Sequence, residues 1–134
     1  MNESDKMSEL FLRGLDEYDK GEYFEAHEAW EDLWSDYNFS DRQFIQGLIQ
    51  LSVSFVHLGN GNLIGAKNLL KKCQQKFDDY NGTHRGINLQ DLKSSIEVVE
   101  IVYSELNDCK DFDWDLVPVL KNWNEKYCII YKGF

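Results

Sequence analysis

Apolar positions recur along most of this chain at spacings of three and four, the period of one helical face. A first helix is expected from about Ser8 to Asp19, with Leu10, Phe11, Leu15 and Tyr18 inward and Lys20-Gly21 as its stop. A second covers Tyr23 to Tyr37, its stripe running through Tyr23, Ala26, Trp30, Leu33 and Trp34. Ser40 or Asp41 caps a third helix, apolar nearly all round from Phe44 to Leu58, a pattern that places it at the centre of a domain. Gly59-Asn60-Gly61-Asn62 breaks the chain, and a fourth helix to about Tyr80 turns Leu63, Ala66, Leu70, Cys73 and Phe77 inward. Residues 81–88 read as a loop and Leu89–Leu106 as a fifth helix. Asp115–Trp123 reads as a short sixth, with Pro118 in its first turn and an apolar tail after it that docks on the body. Residues 1–6 read as a loose tail. The pattern predicts one all-α domain over 1–134, a bundle of five or six helices, with 89–134 supplying the C-terminal helices and tail.

A repeat at an offset of 40 residues supports this layout. Gly21, Tyr23, Ala26 and Trp30 align with Gly61, Leu63, Ala66 and Leu70. Each half reads as helix, glycine turn, helix. The spacing is weakly tetratricopeptide-like, but two units are fewer than a solenoid needs, so two helical hairpins closed into a bundle are expected.

Polar residues interrupt the stripes at two places. His27 lies inside the stripe of the second helix, with Glu28 beside it and Glu31 one turn on. On the third helix, Arg42, Gln46, Gln50 and His57 fall within roughly 80° of one another, at about 100° per residue. Gly47 beside them lets a neighbouring backbone or ligand approach closely. The short connection Asn38–Asp41 makes the two helices antiparallel neighbours, so the polar edges are expected to meet.

Three readings of that seam stay open. Buried polar groups need partners, and a satisfied network can do no more than fix helix register. Alternatively, the groups form a binding pocket walled by Tyr23, Trp30 and Trp34, since pockets pair aromatic walls with a few convergent polar atoms. Third, His27-Glu28-x-x-Glu31 differs by one residue from the His-Glu-x-x-His zinc pattern; His27, Glu31 and His57 would be ligands of a metal-dependent hydrolase and Glu28 its base. His84, alone in a polar loop, reads as solvated. No nucleophile elbow, phosphate loop or dinucleotide fingerprint occurs.

Composition narrows the class. The 134 residues are 43% hydrophobic and 14% aromatic with one proline, which fits a compact helical chain. A net charge of −10 argues against nucleic acid or an anionic membrane as main partner. Lys67, Lys71, Lys72 and Lys76 read first as a solvated helix face. Three scattered cysteines, Cys73, Cys109 and Cys128, suit reduced thiols. With no secretory or membrane-spanning apolar run, a cytoplasmic location is expected.

The run Gly21-x-Tyr23-Phe24-x-Ala26-His27-Glu28-x-Trp30-Glu31-x-Leu33-Trp34, followed by Arg42-x-Phe44-Ile45-Gln46-Gly47-Leu48-Ile49-Gln50-Leu51, His57, Gly59-Asn60 and Gly65-Ala66, resembles the domain-of-unknown-function family DUF309 over about residues 8–80. The resemblance implies a small all-helical bacterial, archaeal or plastid-type protein and carries the polar positions over, without implying an activity. The first functional expectation is a non-catalytic binding or interaction module for a small molecule or protein; the hydrolase is its rival. No cofactor is indicated, and a homodimer is one way for such a bundle to cover an apolar face.

Overall fold

A computed structural model describes residues 2–121. Five helices follow one another: α1 (Glu3–Asp19), α2 (Tyr23–Asp36), α3 (Arg42–Gly59), α4 (Leu63–Phe77) and α5 (Leu89–Glu105). Between α4 and α5 stands a two-stranded antiparallel hairpin, β1 (Thr83–His84) and β2 (Ile87–Asn88). The chain is an all-α bundle. Helices adjacent in sequence pack on one another, and α3, with α2 on one side and α4 on the other, is central. Phe44, Ile45, Leu48, Leu51, Phe55 and Leu58 of α3 are buried.

The 40-residue repeat is built into the backbone. Gly21 and Gly61 take φ of +81° and +79°, the left-handed conformation that favours glycine. The N–H of Glu22 donates to the Glu17 carbonyl at 2.9 Å, and that of Asn62 to the His57 carbonyl at 2.8 Å. Both are the six-to-one bond of a Schellman turn, which satisfies carbonyls left over at a helix end. Ala26 and Ala66 are fully buried behind these turns, and Trp30 and Leu70 occupy equivalent core positions.

Three expectations are corrected. Residues 3–6 are the first turn of α1, because the Asn2 side chain accepts the Asp5 N–H at 2.8 Å and caps it. Residues 81–88 contain the hairpin, whose central residues Arg85 and Gly86 both have positive φ, 50° and 78°. That is the signature of a type I′ turn, which suits the twist of a two-residue hairpin. The sixth helix is reduced to a 3-10 turn at Trp114–Leu116, preceded by another at Cys109–Asp111. The chain beyond runs without regular structure past Pro118, whose carbonyl accepts the buried Tyr18 hydroxyl at 2.8 Å. Residues 122–123 of that expected helix, Cys128 and the apolar tail lie outside the described residues.

Candidate functional site

Residues of the expected seam stand on both α2 and α3, but their contacts are local. On α2, His27 is partly buried. Its Nδ1 lies 2.8 Å from the Phe24 carbonyl oxygen, its Nε2 2.9 Å from Oε2 of Glu31, and its ring packs on Phe24 at 5.1 Å. The i, i+4 spacing that suggested a shared site thus produces a side-chain contact along one helix. Glu31 is largely exposed, and Glu28 is exposed. Across the connection, the Arg42 guanidinium covers the Trp34 ring at 4.3 Å, approaches Phe39 at 5.6 Å and donates from Nη1 to the Tyr37 carbonyl at 2.7 Å. It closes the α2–α3 corner by cation–π stacking and a charged hydrogen bond.

Other members of the set have structural posts. Trp30 is fully buried and donates from Nε1 to the Phe11 carbonyl at 3.1 Å. Tyr23 packs between Tyr18, Phe55 and Trp114, and burial raises its hydroxyl pKa. The space beside Gly47 is taken by the Phe77 ring, 2.6 Å from where a Cβ would stand. His57 sits at the α3–α4 corner, its Nδ1 accepting from Nδ2 of Asn62 at 3.2 Å. Among the described residues no group of three His, Cys, Asp or Glu side chains is placed to hold a metal ion. His27, Glu31 and His57 therefore do not form the ligand set the hydrolase reading required.

What remains of the seam is Trp34, Arg42, Gln46 and Gln50, with the His27–Glu31 pair beside them. Here two buried polar atoms lack a hydrogen-bond partner, Nε1 of Trp34 and Oε1 of Gln50. Trp34 stands under the Arg42 guanidinium at the α2–α3 corner, and Gln50 lies about two turns further along α3. One atom is a donor and the other an acceptor.

Sequence reasoning passed over a tighter polar cluster. His84, which reads as solvated from the sequence, donates from Nε2 to Oδ2 of Asp41 at 2.8 Å. Arg85 makes a bidentate pair with the same carboxylate, Nε to Oδ2 at 2.5 Å and Nη2 to Oδ1 at 2.8 Å. The His84 ring lies against Phe44 at 4.5 Å and Tyr80 at 4.9 Å, and Arg85 covers Phe11 at 4.8 Å. Burial pushes the Asp41 carboxyl up, but the hydrogen bonds and charges of Arg85 and His84 outweigh it and hold the pKa at about 2. Both carboxylate oxygens of Asp41 are bonded, so the cluster is a clamp that ties the hairpin to the start of α3 and, through Arg85 over Phe11, to α1. The cap expected of Asp41 is corrected here: it stands at the N-cap position of α3 but makes no side-chain cap bond, its carboxylate being held by His84 and Arg85 instead.

Comparison with known families agrees with the sequence resemblance: residues 11–69 match the profile described as "Domain of unknown function (DUF309)". The matched segment runs from the middle of α1 to the middle of α4 and contains both faces of the seam. No curated protein matches the chain.

Proposed function

With residues 11–69 carrying the DUF309 segment, we propose that this protein is a non-catalytic binding module whose α2–α3 seam receives an amide-bearing group, a peptide segment or a carboxamide. The observation that carries the reading is the pair of unpartnered buried atoms on that seam, Nε1 of Trp34 and Oε1 of Gln50. Leaving such a group unsatisfied costs about 1–3 kcal/mol, so a partner that satisfies it recovers that energy. An amide offers a carbonyl to the indole N–H and an N–H to the glutamine oxygen. The Arg42 guanidinium over the Trp34 ring would swing aside on entry and keep stacking on Phe39. Binding sites commonly join aromatic walls to a few directed polar atoms.

The test is titration of the ¹⁵N-labelled protein with N-acetylglycine methylamide, reading the Trp34 indole N–H resonance, identified by its loss in Trp34→Phe. Saturable movement in the wild type that disappears in Gln50→Leu is the expected result. Gln50→Leu should fold with unchanged or raised thermal stability, because it removes an orphaned acceptor. A variant that loses about 1–3 kcal/mol, with no indole response in the parent, would identify the seam as a register network alone.

A further inference from the structure

Charge along this chain is segregated by helix, and we infer that α4 is a docking face for the acidic α1 end of a second copy of the protein, in a head-to-tail contact. This surface is independent of the α2–α3 seam. The chain has net charge −10, yet α4 carries four lysines and no carboxylate. Lys67, Lys71 and Lys72 are exposed, and none of the four makes an ion pair among the described residues. Elsewhere lysine and arginine are recruited: Lys121 to Asp16, Lys20 to Glu17, Arg85 to Asp41 and Lys93 to the Tyr80 carbonyl. In an acidic molecule, four cations on one helix, outside any ion pair and outnumbering the Glu100 carboxylate beside them, form a local field of the opposite sign to the whole.

The face also has an apolar component. Ile64, one turn before Lys67 and Asn68, is 75% exposed, and Ile101 on the neighbouring α5 is 58% exposed. A furrow of about 290 Å³ between the two helices is lined by Lys67, Leu70, Lys71 and Glu100. Aliphatic side chains within a polar rim are the usual anatomy of a protein contact.

The complementary surface is at the other end of the helix order. Residues 3–36, α1 and α2, hold twelve carboxylates against three cations. Among the described residues α1 packs chiefly on α2, and much of its other face is exposed. A shallow furrow of about 660 Å³ there is lined by Asp5, Glu9, Leu12, Arg13, Glu17 and Lys20, carboxylates outnumbering cations, with Leu12 56% exposed. One face thus presents an aliphatic residue among lysines, and the other an aliphatic residue among carboxylates. Because the two patches differ, their contact is heterologous, each copy using α4 on one side and α1 on the other.

The experiment is sedimentation velocity of the full chain at about 0.01 M and about 1 M salt, across which the screening length falls from about 30 Å to about 3 Å. Concentration-dependent association at low salt, weakened at least tenfold at high salt, is expected. Lys67→Glu/Lys71→Glu and Asp5→Lys/Glu9→Lys should each be monomeric alone while keeping a wild-type circular dichroism melt. Mixed together, they should associate again, since each supplies the sign the other lacks. A wild-type monomer at both salts overturns the inference, as does association that survives either double variant. Binding of poly-uridylate to the lysine face by a chain that does not self-associate also overturns it, by assigning the face to a polyanion.

Discussion

At position 14 the fold accepts only a hydrogen. A Cβ there would lie 2.1 Å from Nε1 of Trp30, the atom that donates to the Phe11 carbonyl. Gly14→Ala should therefore displace a fully buried indole and break its hydrogen bond, costing about 3 kcal/mol. Gly21 is the contrasting case, with φ +81° and open space around it. Gly21→Ala should cost only the backbone penalty of about 1–2 kcal/mol, and urea midpoints of the two variants will show the order. The buried serines of α3 form a second pair. Ser54 Oγ donates to the Ala66 carbonyl at 2.7 Å and lies 3.0 Å from the Tyr103 hydroxyl, whereas Ser52 Oγ has no partner. Ser54→Ala should destabilise by about 1–3 kcal/mol, because it leaves the buried Tyr103 hydroxyl without its partner, while Ser52→Ala should be neutral or stabilising. None of these differences is visible in the sequence, where the two glycines and the two serines look alike.

At the scale of elements, the hairpin β1–β2 depends on the Asp41 clamp. Arg85 holds φ +50°, a conformation that non-glycine residues rarely adopt, and its two bonds to Asp41 offset that strain. The Asp41 pKa falls from an ordinary 3.8 to about 2 on folding. A depressed carboxyl stabilises the fold fully above its unfolded value, and that contribution disappears as pH drops through the folded value. The shift corresponds to about 2 kcal/mol. Wild type should lose that much between pH 5 and pH 2 relative to Asp41→Asn, read from paired thermal melts. The clamp also marks where sequence reasoning stopped. Helices of fourteen to eighteen residues repeat their apolar positions several times, so α1 to α5 were legible. Two-residue strands have no period to read, and nothing local to His84 reveals that an aspartate 43 positions earlier faces it. For the same reason the sequence placed His27 and Glu31 correctly one turn apart but not their partners, which long-range packing decides. Arg42 and Gln50 were legible as polar interruptions of a stripe, and Trp34 as a member of one. That two of them would carry unpartnered atoms was not.

For the whole molecule, buried ionisable groups set the limits of the stable pH range from both sides. Asp41 guards the acid side. On the alkaline side, Tyr18, Tyr103 and Cys73 are all raised above their ordinary values. Burial is the main cause for each; it is reinforced for Tyr18 by Tyr23, Cys73 and Tyr103, and opposed for Tyr103 by its bond to Ser54. A group whose pKa rises on folding contributes fully below its unfolded value, about 8.5 for a thiol and about 10 for a phenol, and loses that contribution as pH climbs. Stability against urea should therefore be level from about pH 5 to about pH 8 and then fall, each participating group adding up to about 1.4 kcal/mol per pH unit to the slope. Tyr103→Phe distinguishes this cause from general repulsion in a chain of net charge −10. The variant lowers the plateau, because Ser54 loses a partner, but should make the alkaline slope shallower by one group's share. If repulsion controlled the limb instead, added salt would flatten it and the variant would leave its slope unchanged. The contrast is between a charge forced into the core, which salt does not reach, and charges spread over α1 and α2, which it does.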